Sequence, residues 1–332
     1  MDMPEINNLV DKIANDNTSG ASTIARNAAG CLDTFAVRVL DNPHKISPED
    51  YVNELILLGQ KLVCAQPTMA PVINIVNEII SFTKNEYDSF KRSVKMHAEK
   101  QLEVLCTITK STARRYLLES KLALETIAHS YKDVLKSNDI LMTISASSAI
   151  EGLLLEASKN SLDFKVFVPE SRPMCEGRLM AERLSKKGIN TILIADHAMF
   201  HYLSDCSNIL IGADRVTPEG VMNKIGTYGL AIAAKEFKIP LYCICERMKF
   251  IQNVTPIENL ISDQPAEQLY PMDHVKDKPD KLIIKNIYFD FTPMSYISKF
   301  LTEDGLITSE QVIDYIKTKK LMPELFSVVS SG

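Results

Sequence analysis

The densest run of chemistry-bearing residues is ILIGADRVTPEGVMNKIGTYGLAIAAK, residues 209–235. An apolar run leads to Asp214, a glycine-containing loop follows, and Asn223-Lys224-Ile-Gly is expected to open a helix. Placed there, Gly226 would let a ligand oxyanion approach the backbone, Lys224 would supply a point charge for phosphate, and Asn223 would cap the helix or bond a sugar hydroxyl. A second positive locus is ESRPMCEGRLMAERL, residues 170–184, where Arg172 precedes Pro173 and Arg178 enters the following helix. Arginine's planar fork suits phosphate, so two guanidiniums and an ammonium on one crevice predict a ligand with more than one anionic group. Arg183 reads instead as solvating an exposed helix face. Neither GxGxxG nor GxxxxGK[ST] occurs, which argues against a standard dinucleotide or nucleoside-triphosphate loop.

Those residues need a scaffold, and glycine and proline mark where it changes. Only Gly20, Gly30 and Gly59 occur in the first 151 residues, and no proline lies between Val72 and Val168. Helical patterning runs from NEYDSFKRS to YKDVLK, with an apolar stripe through Ile108, Ala113 and Tyr116 that must pack within its own domain. After Asn138, short apolar runs alternate with helices: DILMTIS, FKVFVPE, NTILIAD, SNILIGAD and IPLYCIC. Five strands with crossover helices predict a doubly wound parallel sheet. We therefore expect an α/β protein in two domains, helical over 1–135 and α/β over 136–332, with KLIIKNIYFDFTP as an edge strand. Ligands of such sheets bind beyond the carboxyl ends of the strands. Those ends deliver Ser145, Glu170, Asp196, Asp214 and Glu246, with Ser147 and Ser148 beyond the first. Asp196 and Glu246 read equally well as caps or turn residues.

Composition narrows the functions. Thirty-seven basic against forty-two acidic residues leave −5, with no polycationic arm, so direct nucleic-acid binding is not expected. No apolar run approaches the ~18 residues of a membrane span, and the acidic start lacks a signal peptide's pattern, so a cytoplasmic protein without a membrane partner is expected. Seven cysteines mostly lie in apolar segments. Cys243 and Cys245 share one strand face with no second pair at ligand spacing, so they read as core and no metal site is expected.

Together these segments resemble the translation initiation factor 2B alpha/beta/delta subunit family, which also contains ribose-1,5-bisphosphate isomerase and methylthioribose-1-phosphate isomerase. The resemblance rests on ILMTISASSA, on VPESRPMCEGRLMAERLSKKGINTILIADHAMFHYL, on IGADRVTPEGVMNKIGTYGLAIAAKEFKIPLYCICERMKF and on FDFTPMSYISKFLTEDGLIT. DNTSGASTIARNAAGCL looks like the family's N-terminal phosphate-site region. The resemblance implies a helical domain joined to a Rossmann-like domain, a sugar-phosphate or nucleotide pocket between them, association as dimers or higher oligomers, and no cofactor. It implies that Asn223 and Lys224 hold substrate, that Gly20, Ala21, Arg26, Ser147, Arg172 and Arg178 contribute to the phosphate sites, and that Asp214 stands at a catalytic position. The isomerases' other catalytic group, a cysteine in Thr-His-Cys-Asn, is replaced here by Ser145 in Thr143-Ile144-Ser145-Ala146. Where they carry Arg-Gly-Ala, this chain has Ser19-Gly20-Ala21 with Arg26 further on. A serine hydroxyl needs an adjacent base, whereas a thiol with pKa ~8.5 does not. Two readings follow: a regulatory or weakly catalytic binder of a sugar phosphate or nucleotide, with a translation initiation factor among its partners, or an aldose–ketose isomerase using Asp214 with Ser145.

Overall fold

The computed structural model describes residues 3–16, 19–93, 96–253 and 256–326. Asn17 and Thr18 of the N-terminal motif lie outside the described residues. The chain divides into two compact units, residues 1–122 with 319–332, and residues 123–318.

The first unit is built of α1 (Pro4–Ala14), α2 (Ala21–Leu40), α3 (Pro48–Ala65), α4 (Ala70–Ser93) and most of α5 (Ala98–His129). Its helix starts follow local chemistry: the Ser47 hydroxyl accepts the Asp50 N–H at 3.1 Å, and Pro48 takes the first helical position, where its missing donor costs nothing. On α5, Leu102, Leu105, Thr109, Ala113 and Tyr116 are buried at three- and four-residue spacing. Thr109 meets Tyr51 of α3 at 2.8 Å and Thr83 of α4 at 3.0 Å, so the α5 stripe packs inside its unit.

The second unit carries a seven-stranded sheet in the order β10-β9-β7-β4-β1-β2-β3. Its strands are β1 (Asp139–Thr143), β2 (Phe164–Pro169), β3 (Asn190–Ile194), β4 (Asn208–Ile211), β7 (Leu241–Ile244), β9 (Lys299–Thr302) and β10 (Gly305–Ile307). All neighbours are parallel except β9 and β10. Period-two alternation sends Leu141, Val166, Val168 and Leu210 to one face, under α6 (Ser148–Lys159) and α7 (Glu176–Lys186). Met142, Phe167, Ile209 and Ile211 face the other way, under α9 (Thr227–Phe237) and α11 (Ser309–Thr318). Helices on both faces make the sheet doubly wound, and the five apolar runs of the sequence are its five central and right-hand strands.

Three features differ from the sequence reading. The loop after Asp214 is a hairpin, β5 (Arg215–Thr217) and β6 (Gly220–Lys224), and β6 also pairs with β8 (Phe289–Pro293) in a separate three-stranded antiparallel sheet. KLIIKNIYFDFTP thus does supply an edge strand, but of the second sheet. Asn223 and Lys224 lie on β6 rather than at a helix start, because every residue of β6 is buried and the ladder with β5 and β8 satisfies its backbone. The segment KFLTEDGLIT adds β9 and β10.

Candidate functional site

The chain order reverses at β1: β2 and β3 lie on one side and β4 on the other. Loops leaving adjacent strands at such a point diverge to opposite faces and leave a crevice. Ser145 follows β1 and Asp214 follows β4, so the two residues flank this switch point. Gly212 brings the neighbouring groups in: a Cβ there would lie 3.0 Å from the Ser147 Cβ and 3.7 Å from the Asn223 Oδ1. Ser147 caps α6 by accepting the Ile150 N–H, and Asn223 donates to the Thr227 hydroxyl at 3.0 Å.

Ser145 has φ 68°, a left-handed conformation rare for a side-chain-bearing residue and common at ligand sites. Neighbouring loops hold it there. Its N–H donates to the Ser171 hydroxyl at 2.8 Å, and the Ser171 and Arg172 N–H groups donate to the two Asp196 oxygens at 2.6 and 2.7 Å. Asp196 is therefore a turn residue, one of its two readings. The Ser145 hydroxyl donates to Glu176 Oε1 at 2.7 Å, and the same oxygen pairs with Lys224 Nζ at 2.9 Å, while Oε2 lies 3.1 Å from that ammonium. Lys224 is only 5% exposed and stands 5.6 Å over the Tyr288 ring, a favourable place for a cation. Burial pushes the Asp214 carboxyl above the usual carboxylate range; Lys249 and Lys224 oppose that rise and Glu176 adds to it.

The remaining sequence candidates are placed as follows. Arg178 is exposed and its guanidinium binds Glu170 through Nε at 3.0 Å and through a second N–H. Arg172 is exposed and donates to the Gln268 carbonyl at 3.0 Å. Gly226 does adopt positive φ, 101°, but its N–H and that of Tyr228 are given to the Asp290 carboxylate on β8, at 2.8 and 3.1 Å. The anion at the start of α9 is thus one of the chain's own residues. Burial raises Asp290 to about 6 against the pull of those two donors. In the first unit Gly20 precedes α2, Ala21 is its buried first residue, and Arg26 donates to Thr23 at 2.9 Å and Ser120 at 3.3 Å. Cys243 and Cys245 are buried with sulfurs 3.8 Å apart.

Sequence reasoning missed Glu176 and Lys249. A glutamate in the first turn of a helix is ordinarily read as complementing the helix dipole, and its true partners lie 31 and 48 residues away. Lys249 sits in the turn Arg247–Lys249 beyond β7 and is 5% exposed.

A doubly wound sheet with a hydroxyl, a glutamate–lysine pair and a buried carboxylate gathered at its switch point makes this an α/β protein with a polar crevice beyond its strand ends. The chain belongs to the Initiation factor 2 subunit family, whose family model matches residues 17–309. It is 28% identical over 316 residues to ribose 1,5-bisphosphate isomerase of Thermococcus kodakarensis, covering 94% of each chain. It is also 28% identical over 300 residues to a putative translation initiation factor eIF-2B subunit 2-like protein of Pyrococcus furiosus, covering 90% of this chain and 95% of that one. Among solved structures, the translation initiation factor eIF-2B of Pyrococcus horikoshii OT3 superposes with a TM-score of 0.74 at 24% identity, over 94% of this chain and 99% of that one. Among the described residues no helix is long and apolar enough to cross a membrane.

Proposed function

We propose that this chain is an initiation-factor-2B-like protein that binds a phosphorylated sugar or nucleotide beyond the strand ends of its α/β unit, and that it acts in the cytoplasm through protein partners. The observation that carries this reading is Lys224, a buried ammonium on a rigid strand whose counter-ion, Glu176, is a side chain of the site itself. Burying such a pair costs several kcal/mol of desolvation per ion. That expense makes sense where a ligand's oxyanion exchanges with the carboxylate. Asn223 beside it offers amide groups to a hydroxyl. Self-association belongs to the same proposal, supported by Leu179, Leu193, Phe200, Ile232 and Phe237, large apolar side chains exposed on this unit.

A second reading, an aldose–ketose isomerase, is favoured by one distance. The Ser145 hydroxyl donates to a carboxylate at 2.7 Å, so the base that a serine requires is present. That carboxylate is also engaged by Lys224, however, and the two kinds of relative match at similar identity, 28–29% for the ribose 1,5-bisphosphate isomerases and 26–28% for the putative eIF-2B subunit 2-like proteins. The binding reading asks less of the site. Incubation with ribose 1,5-bisphosphate, followed for several hours through phosphorus and anomeric-proton magnetic resonance, separates the two. Shifted or broadened ligand signals without conversion are expected. Appearance of the ketose would establish the isomerase instead, and signals unchanged by the protein would refute both.

A further inference from the structure

We infer that Glu176 is an internal competitor for the ligand: its carboxylate occupies the place of an oxyanion at Lys224 and is displaced when a phosphate binds. The inference rests on the binding reading above and adds to it a residue that sets the affinity and the charge of what is accepted. One carboxylate satisfies two groups that stand on separate elements. Its Oε1 accepts the Ser145 hydroxyl at 2.7 Å and lies 2.9 Å from Lys224 Nζ, and its Oε2 lies 3.1 Å from the same ammonium. A hydroxyl and an ammonium converging on one pair of oxygens are the donors that a phosphate ester uses, and charge-assisted bonds of this kind are the strong ones. While Glu176 holds both, neither donor is open to a ligand.

The two partners differ in how far they can move. Lys224 is buried on β6, a strand paired on both sides, so its backbone is fixed and its ammonium stays in the crevice. Glu176 opens α7 and is 21% exposed. Its backbone is fixed too: the Cys175 N–H donates to the Ser171 carbonyl at 3.0 Å, the Gly177 N–H donates to the Glu170 carbonyl at 3.2 Å, and Gly177 passes so close to the Pro169 carbonyl that a Cβ would sit 1.9 Å from it. Release is therefore a rotation of the side chain about its own torsions and not a shift of the helix. The released carboxylate stays at the N-terminus of α7, where the helix dipole favours an anion and Cys175 supplies no side-chain cap. The exchange is uneven in charge. A phosphomonoester dianion brings more charge to Lys224 than the carboxylate it displaces, a singly charged acid replaces one carboxylate by another, and an uncharged sugar displaces nothing. Glu176 thus selects a dianionic ligand and lowers the affinity for it by the cost of its own removal.

The test uses the full chain, ribose 5-phosphate as probe and ribose as its neutral counterpart, with affinities measured by calorimetry. Glu176→Gln keeps the shape of the side chain and one acceptor oxygen but removes the charge. It should bind ribose 5-phosphate ~10- to 100-fold more tightly than the unsubstituted protein, the gain from one charge-assisted contact no longer broken, with no more than a twofold change for ribose. Glu176→Ala should show the same gain, which separates removal of the carboxylate from any contact made by the new amide. Both variants should unfold at lower urea than the unsubstituted protein, because Lys224 loses its counter-ion, and tighter binding by a less stable protein cannot come from a folding defect. Unsubstituted protein that binds ribose 5-phosphate together with variants that bind it equally or more weakly would overturn the assignment of Glu176 alone. Failure of all three proteins to bind ribose 5-phosphate would overturn the binding reading, and this assignment with it.

Discussion

Asp290 makes the fold sensitive to pH in a direction opposite to most surface carboxylates. Its Oδ2 accepts two N–H groups at the start of α9, while its Oδ1 is buried with no hydrogen-bond partner. Two effects compete: an acid at a helix N-terminus is stabilised by ~0.5–2 kcal/mol, and a buried carboxylate is penalised by desolvation. Burial wins, leaving the group at about 6 against an ordinary 3.8. Because the folded state raises this value, the fold favours the protonated acid. The associated stability is complete below the unfolded value and is lost as pH rises through about 6. Two units correspond to roughly 3 kcal/mol. Asparagine keeps one acceptor oxygen and cannot ionise, so Asp290→Asn should exceed the parent by about 3 kcal/mol near pH 7.5, with the difference shrinking to about 1 kcal/mol near pH 4.5. For a unit of this size that is a gap of roughly 6–12 °C in melting temperature at the higher pH. Differential scanning calorimetry of both proteins across this range reads it directly. A variant that melts below the parent by the same amount at every pH would show that the charge on the helix dipole, and not burial, governs this site.

Further expectations follow from the site. Saturating ribose 5-phosphate at about a hundred times its dissociation constant should stabilise the protein by ~2.7 kcal/mol. Lys224→Ala should abolish that thermal shift and Asp214→Asn should leave it largely intact; loss in neither would sink the placement of the site. Glu176→Gln strands Lys224 without its counter-ion, and with Glu176 21% exposed we expect a destabilisation of ~1–3 kcal/mol in urea unfolding, checked against an unchanged midpoint. Gly177→Ala would set a Cβ 1.9 Å from the Pro169 carbonyl oxygen, a backbone atom that cannot turn aside. A loss of about 3 kcal/mol or more is expected, and a normal melting curve would refute the packing argument.

How much of this was legible beforehand depends on how local the signal is. The strands β1, β2, β3, β4 and β7 are short apolar runs bounded by turn residues, so their existence and parallel pairing could be read directly. The hairpin β5–β6 was hidden because Pro218 and Gly220 punctuate it and Asn223 and Lys224 are buried polar residues, for which neither period two nor period 3.6 gives a cue. Strands β9 and β10 were too short to separate from the loop around Gly305. Ser145, Asp214, Asn223 and Lys224 could be singled out because each follows or belongs to a recognisable segment. Glu176 and Lys249 could not, since the groups they act on, Ser145 and Lys224 for the first and Asp214 for the second, stand on other elements. The anion role of Gly226 was misplaced for the same reason: its partner, Asp290, comes from a strand 64 residues away.

The loop that carries Ser171 ties together the ends of three neighbouring strands, receiving the Ser145 N–H from beyond β1 and giving its own N–H groups to Asp196 beyond β3. Such a clasp fixes the Ser145 backbone, and with it the Cβ, without reference to the atom that the Cβ carries. Exchange of oxygen for sulfur would then change proton affinity and polarisability by a large step while leaving the surrounding frame in place.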